Sequence, residues 1–352
     1  MDLFGDFSKL KVFLKDKDKK SYPRMAYEIT KIILNTKSLP RHYFSACLYK
    51  NYISNYLDYI SVNQYDKIKR KLQNRNFKEL LDNKLFFQYY FQDKINVPKI
   101  LAYNMESILF TNSETYSLNS NDQLKDLIKL LIEQSTNRAI FLKDFSNNGG
   151  KNCFKITLSN LNGYFDDNNF FNLITSSSFI IQDCINQHSQ INKIYSKSIN
   201  SIRAETFIND KGEIEIISAL MRFGVGGSYV DNCSQGGIFT SVNLEKGTLG
   251  KYAYDFFKAG NSDYINRHTI HPDTQFKFEG TEIPYFLELK QMIRDTAILL
   301  PQIRLVGWDF AITENGPILI EGNLHPGNSK AQMACNGYKT NKVFKKIIEN
   351  YG

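Results

Sequence analysis

The stretch Gly307-Trp-Asp-Phe-Ala-Ile-Thr-Glu-Asn-Gly-Pro-Ile-Leu-Ile-Glu-Gly-Asn-Leu-His-Pro-Gly327 reads as two β-strands joined by a tight turn. Asn315-Gly316 supplies the turn, because both residue types tolerate positive φ. Asp309, Glu321 and Asn323 set oxygen-bearing side chains inside the apolar strands, and Glu321 and Asn323, two apart, leave one face. A carboxylate in an apolar strand is costly unless something pairs with it. Two carboxylates and an amide oxygen on adjacent strands are hard ligands, suited to Mg²⁺ holding nucleotide phosphates. Register tests this reading. A three-residue loop, Glu314-Asn315-Gly316, sets Thr313 against Pro317 and Asp309 against Glu321; a two-residue loop, Asn315-Gly316, turns Asp309 to the other face. We expect the three-residue loop with Gly316 left-handed. The alternative is a surface hairpin with its acids in water, but Phe310, Ile312, Ile318 and Ile320 leave it no clean polar face.

Working outward, the 352 residues are enough for two or three lobes with real cores, and the 42% hydrophobic and 23% charged content is that of an ordinary globular protein. The cysteines at 47, 153, 184, 233 and 335 form no C-x-x-C pair, which argues against a zinc site or disulfide framework and fits a reducing cytoplasm. No apolar run is long enough to span a bilayer, and Met-Asp-Leu-Phe-Gly-Asp-Phe lacks the basic start and apolar core of a signal peptide. The net charge of +8 is concentrated early, in Lys9, Lys11, Lys15, Lys17, Lys19, Lys20 and Arg24, then in Lys67, Lys69, Arg70 and Lys71. A solvated face is the default reading of that excess, and peripheral contact with the anionic inner face of a membrane is the second. Helix-turn-helix, zinc-finger and RRM signatures are absent, so no specific nucleic acid is expected.

Residues 1–75 carry apolar and aromatic residues at helical spacing, through Tyr43, Phe44, Leu48, Tyr52, Tyr56, Leu57 and Tyr59, broken by Pro23 and Pro40. A helix is expected from Leu80 past Phe91, and another over 122–135. Strands follow at Ala139–Phe145, Phe154–Leu158 and Phe179–Asp183. Residues 201–243 alternate like antiparallel strands, with a turn at Asp210-Lys-Gly212. A long helix covers 284–300 and a last one 341–350. The pattern predicts α+β lobes rather than a doubly wound parallel sheet. The division is 1–76, a helical region; 77–183, a lobe with a phosphate loop; and 184–352, a lobe with the metal and substrate site.

Three further segments carry chemistry. Asn147-Asn-Gly149-Gly150-Lys151 lies between two strands, so backbone N–H groups can approach phosphate and Lys151 adds charge. It is not a Walker A loop, and Gly-Gly between strands is usually a hairpin turn. Lys143, inside an apolar strand just upstream, shifts the balance toward a cation aimed at an anion in a cleft. Gln182-Asp183-Cys184-Ile185 ends a strand and forms a hinge whose backbone can read an adenine edge; Gln187 and His188 follow within reach of a ribose. Arg203 and Arg222 precede a glycine-rich segment with Asn232, Gly236 and Gly237. Arginines suit bidentate recognition of carboxylate or phosphate, and glycine pairs expose backbone donors to a transferring phosphoryl group. The alternative pairs the arginines with Glu205 or Asp231.

In order along the chain, Lys84, Lys143, Gly149-Gly150-Lys151, the hinge, Arg203, Arg222, Asn232 with Gly236-Gly237, then Asp309, Glu321 and Asn323 resemble the ATP-grasp superfamily. Residues 203–237 resemble its glutamate-ligase branch. Gly307-Trp-Asp-Phe-Ala-Ile, Gly316-Pro-Ile-Leu-Ile-Glu-Gly-Asn and Pro326-Gly327, with His271-Pro-Asp-Thr and Gly280-Thr-Glu-Ile-Pro284, are most similar to the sugar-transfer associated ATP-grasp family. The resemblance covers roughly 78–335. It implies an ATP-grasp fold, with two α+β lobes clamping ATP behind an N-terminal helical region. It also implies an ATP-dependent carboxylate–amine ligase working through an acyl phosphate in surface-polysaccharide synthesis, on a small-molecule or glycan substrate. Lys84 and Lys143 are then expected on the phosphates, with Gly149, Gly150 and Lys151 covering them. Gln182, Asp183, Ile185 and His188 are expected around the nucleoside. Asp309, Glu321 and Asn323 are expected to hold one or two Mg²⁺ ions. Arg222 is expected on the transferring phosphoryl group, with Arg203 assisting or binding the acceptor carboxylate, and Asn232, Gly236 and Gly237 line the acyl-phosphate site. A nucleotide-binding module without turnover, or a carboxylate kinase forming no amide, uses the same residues. Asn147-Asn148 departs from the more Gly/Ser-rich loop common in the family, and Asp183-Cys184 from its usual hinge.

Overall fold

The computed structural model describes residues 7–37, 39–145, 152–256 and 265–352. Its helices are α1 (Phe7–Lys15), α2 (Tyr22–Thr36), α3 (Arg41–Ser45), α4 (Val62–Leu72), α5 (Lys78–Asp82), α6 (Lys84–Phe91), α7 (Asn121–Gln134), α8 (Asn169–Thr175), α9 (Ser189–Asn192), α10 (Phe286–Ile298), α11 (Asn328–Ala334) and α12 (Lys342–Tyr351). Strands β1 (Ile100–Met105), β2 (Ile108–Thr111), β3 (Thr115–Ser117), β4 (Ala139–Asp144), β5 (Cys153–Thr157) and β6 (Phe179–Asp183) form one sheet, in the order β3-β2-β1-β6-β4-β5. Strands β7 (Ile202–Ile208), β8 (Ile214–Phe223), β9 (Ile238–Asn243), β10 (Thr248–Tyr254), β11 (Arg267–His268), β12 (Leu305–Thr313) and β13 (Gly316–Asn323) form a second, ordered β11-β10-β9-β8-β7-β12-β13. Every strand pair in both sheets is antiparallel, as α+β lobes require. No helix among the described residues is long and apolar enough to cross a membrane.

Local patterns explain most elements. Ser120 caps α7 by accepting from the Gln123 N–H, and Leu124, Ile128, Leu131 and Ile132 bury one stripe of that helix against the six-stranded sheet. The expected helix at 80–91 is divided in two. Asn83 adopts extended backbone (φ −89°, ψ 113°), and its Oδ1 accepts from Leu85 and Phe86 N–H, so Lys84 becomes the first residue of α6. The helical run expected through Tyr43–Tyr59 is also corrected. Helix α3 stops at Ser45 because Cys47 is left-handed (φ 55°), with Leu48 N–H bonded to Tyr43 O and Cys47 N–H to Phe44 O. The aromatic residues there pack together, Phe13 edge-on to Phe44 and Tyr49, rather than extending a helix.

Helices α5 and α6 share their core with the seven-stranded sheet. Leu81, Phe87 and Phe91 pack beside Trp308, Phe310 and Leu289, and Phe91 meets the Trp308 ring edge-on at 5.9 Å. Leu85, on the same helix, contacts Ile100, Phe145 and Ile180 at the six-stranded sheet. The helix that begins with Lys84 is therefore wedged between the two sheets. On the far side, Tyr43, Phe44 and Tyr49 of the N-terminal region cover Leu220, Cys233 and Phe239.

His42 is buried in that region, and its Nδ1 has no hydrogen-bond partner among the described residues. Burial, helped by Lys339, lowers its pKa to about 4. Between pH 6.5 and about 4 the unfolded chain therefore takes up a proton that the folded chain refuses, and stability falls as pH falls through that window. The full effect is about 3 kcal/mol. His42→Phe is expected to lose about that much less stability between neutral pH and pH 4 in urea titrations; equal losses in both proteins rule the assignment out.

Candidate active site between the lobes

The hairpin β12–β13 builds the site's floor. Asp309 lies opposite Glu321, and Gly316 is left-handed (φ 108°), as expected. The route differs from the expected three-residue loop. Thr313 pairs with Gly316 and Ile312 with Pro317, and an irregularity between Asp309 and Phe310 restores the shared face by leaving Ile320 without a partner. An extra residue inserted in one strand shifts all later pairing by one, which is what an extra loop residue does at the turn.

Asp309 is 1% exposed and is the hub of an ion-pair web. Arg203, opposite it on β7, donates Nε to Oδ1 and Nη2 to Oδ2 (2.8 Å). Arg222, on β8, donates Nη2 to the same Oδ2 (2.8 Å) and Nε to Ser201 Oγ (2.9 Å). Asp231 accepts from the Ser201 N–H (2.8 Å) and lies 3.5 Å from Arg222 Nε. Arg203 Nη1 also donates to Pro326 O (3.2 Å). Gly307 permits this approach, since a Cβ there would stand 2.5 Å from Pro326 Cβ and 3.2 Å from Arg203 Cδ. Burial opposes charge on Asp309, but Arg203 and Arg222 outweigh it and hold the carboxyl well below its ordinary range.

Glu321 differs. Its side chain is 38% exposed, and the nearest guanidinium nitrogen, Arg203 Nη2, is 4.0 Å away. Burial and the facing Asp309 push its carboxyl upward. Asn323 Nδ2 donates to Glu321 Oε1 (3.1 Å). Two facing carboxylates, one lacking a close cation, with an amide beside them, are a donor set that a divalent ion fits. Among the described residues no cluster of three or more His, Cys, Asp or Glu is placed to hold a metal. An ion here would rely on Asp309, Glu321, Asn323 and oxygens brought by a ligand.

A cavity of about 290 Å³ runs between the sheets, bounded by Lys84, Lys143, Gln182, Asp183 and Ile185 from one side and Arg222, Asn232, Asp309 and Glu321 from the other. A neighbouring recess of about 200 Å³ shares Lys84, Lys143, Gln182 and Glu321 and adds Asn323. Burial lowers the Lys143 pKa, with Glu321 opposing the shift and nearby Lys84 adding to it. Lys84 Nζ is 3.4 Å from Phe145 O. Gly149, Gly150 and Lys151 lie outside the described residues.

At the hinge, Gln182 and one oxygen of Asp183 are committed elsewhere, while Asp183 Oδ1 is buried without a partner among the described residues. Gln182 Nε2 donates to Gln88 Oε1 (2.8 Å), and Asp183 Oδ2 accepts from Thr136 N–H (3.0 Å). Ile185 borders the cavity, and its backbone enters none of the hydrogen bonds among the described residues. His188 is not in the cavity wall. It caps α9, accepting from Gln190 N–H at Nδ1, and its Nε2 lies 3.5 Å from Glu314. Gln187 Nε2 donates to Asn192 Oδ1, Tyr195 O and Ser198 O, pinning the loop that follows. Asn232 borders the cavity, whereas Gly236 and Gly237 lie behind it. Gly236 is left-handed (φ 102°), and a Cβ at Gly237 would stand 2.3 Å from Asp231 O, so both shape the turn that presents Asp231 and Asn232. Of the partners expected for the arginines, Asp231 meets Arg222. Glu205 is instead buried under Tyr338 (2.6 Å) and Ser218 (2.6 Å).

Sequence reasoning missed Ser201, which locks Arg222, and Lys330 on α11. Burial lowers the Lys330 pKa, partly opposed by Cys233 and reinforced by Arg222 and Arg203, which marks it as a third cation near the web. Its position three residues after Pro326-Gly327 was the available signal.

A family model described as sugar-transfer associated ATP-grasp matches residues 63–347. No curated protein matches the chain by sequence. Among solved structures, D-alanyl-alanine synthetase A from Vibrio cholerae is 13% identical, with TM-score 0.44, covering 77% of this chain and 65% of its own. The ATP-grasp ligase PsnB, complexed with a minimal precursor, Mg and ADP, is 11% identical, with TM-score 0.42, covering 80% and 62%. N5-carboxyaminoimidazole ribonucleotide synthetase from Thermotoga maritima is 10% identical, with TM-score 0.37, covering 78% and 50%. The chain thus spans half to two thirds of the length of these structures. With 63–347 matched, the chain belongs to the sugar-transfer associated ATP-grasp family.

Proposed function

We propose that this protein is an ATP-dependent carboxylate–amine ligase. The observation that carries the reading is the Arg203–Asp309–Arg222 web on the wall of the interlobe cavity, with Lys84 and Lys143 on the facing wall. Phosphoryl transfer needs a protein chiefly to position the reactants and balance charge, and this arrangement does both. A carboxylate oxygen attacks the γ-phosphorus of ATP. The bond to the β,γ-bridging oxygen breaks and ADP leaves. The amine then attacks the acyl carbon, the carbon–oxygen bond to phosphate breaks, and the nitrogen loses a proton to give an amide. Lys84 and Lys143 bind the phosphate chain, the Ile185 backbone receives the adenine edge, and Arg222, fixed by Ser201 and Asp231, meets the charge on the transferring group. Asp309, Glu321 and Asn323 hold Mg²⁺, which when bound screens the phosphate charge. Lys151, with Gly149 and Gly150, covers the phosphates. The family's description, sugar-transfer associated, supports a sugar acid or amino sugar as one substrate; an amino acid or amine is the other on this reading, and the product enters surface-polysaccharide synthesis.

The deciding experiment is ATP-to-ADP turnover with Mg²⁺ against uronic acids, amino sugars and amino acids, singly and in pairs. Turnover that needs a carboxylate and an amine together establishes the ligase. Phosphate release without an amine favours a carboxylate kinase, and ADP binding without any turnover favours a nucleotide-binding module.

Lys143→Met tests the phosphate wall. A hydrogen bond to a charged group is worth about 1.5–3 kcal/mol, so KM for ATP should rise about ten- to a hundredfold. Thermal stability should hold or increase, because methionine fills the space without a desolvated charge. An unchanged KM removes Lys143 from the site.

A further inference from the structure

Helices α1 and α2 lie outside the residues matched by the family model and contribute nothing to the cavity walls. Their inner faces are accounted for. Phe13, Met25 and Ile32 pack with Tyr43 and Tyr49 over Phe239, and Glu28 is buried beneath Lys20 (2.7 Å) and Tyr43 (2.7 Å). The outward face of α2 is not. Pro23, Tyr27, Thr30 and Leu34, spaced four, three and four apart, form one stripe opposite Met25, Glu28 and Ile32. Tyr27 is 59% exposed and Leu34 70%. The Thr30 hydroxyl is tied to Ala26 O (2.9 Å), so it does not break the stripe with an open donor. Tyr22 and Ile33 on α2 and Leu14 on α1 are also exposed.

Charge indicates what covers this face. Arg24, which also donates Nε to Glu28 (3.1 Å), and Lys31 lie along one side of the stripe, Lys31 Nζ is 5.5 Å from the Tyr27 ring centre, and Lys37 closes the helix. Lys11, Lys15 and Lys17 are exposed on and just after α1, and among residues 10–37 Asp18 is the only exposed acid. A second copy docking symmetrically would set these cations against their own kind. A nucleic acid backbone would use the cations but not the apolar stripe. Cations flanking exposed aromatic and aliphatic side chains on a helix lying flat match the interface of an anionic bilayer.

We propose that the outward face of α2 docks on an anionic lipid surface, with Tyr27 and Leu34 entering the boundary between headgroups and acyl chains. The full chain is centrifuged with vesicles of phosphatidylglycerol and phosphatidylcholine in equal parts, and with vesicles of phosphatidylcholine alone. Binding is expected to the first and to be much weaker with the second. Lys31→Glu with Lys37→Glu should weaken it by about fivefold or more per position, and Tyr27→Ser with Leu34→Ser by at least about tenfold. Circular dichroism and ADP binding of these variants should match the wild type, since the substituted side chains face water. Three results overturn the proposal: no binding to the anionic vesicles, binding indifferent to both pairs of substitutions, or a dimer in light scattering that Leu34→Ser converts to monomer without any vesicle binding.

Discussion

Asp309→Asn is expected to stop turnover and also to weaken the fold. The carboxylate is buried and accepts from two arginines, which share its Oδ2. An asparagine of the same shape cannot balance two buried guanidinium charges, and its amide would direct a donor at one of them. Removing one partner from a buried ion pair costs about 3–5 kcal/mol. Activity should fall at least about 10³-fold, the loss typical when a charge-positioning group is removed from a reaction centre. Urea unfolding and ADP release measure the two losses separately. Repeating Asp309→Asn in an Arg222→Met background should give a smaller stability loss, because one of the stranded cations is already gone. Wild-type stability together with more than a tenth of the activity would falsify the hub role of Asp309.

Glu321→Gln should lose turnover by about 10²–10³-fold while keeping the fold. Glu321 faces Asp309 from a half-exposed position, and its nearest cationic nitrogen stands 4.0 Å off. Replacing it removes a like-charge contact, so the variant without metal should be at least as stable as the wild type. Magnesium separates the readings. With ADP present, added Mg²⁺ should raise the wild-type melting temperature further, since a ligand that binds only the folded state stabilises it. Glu321→Gln should show little of that increment. An equal increment in both proteins shows that the ion binds elsewhere, whatever happens to activity.

Asp309 and Glu321 were legible because polar residues inside apolar strands are locally conspicuous, and the hairpin's turn residues narrowed their register to two choices. The register was reached by a different device. A strand irregularity at Ile320, which no turn signal announces, replaced the expected extra loop residue. Lys84 was legible as a lysine on a helix. Its place at a helix start was not, because Asn83 breaks the segment through a side-chain cap that competes with the helical periodicity around it. His188 and Gln187 look like ribose ligands in the chain, but their polar atoms are taken up by loop contacts that only the fold supplies.

By itself, the sequence determined most of the strands, the α+β class and the charged residues that border the cavity, because strand alternation and turns are encoded within a few neighbouring positions. The tertiary structure decided how those charges are spent. Arg203, Arg222 and Asp309 are far apart along the chain and meet only because β8, β7 and β12 are adjacent in the sheet. Strand order is set by packing over the whole core around Trp308 and by the wedge of α6, a balance of many long-range contacts that no local pattern records.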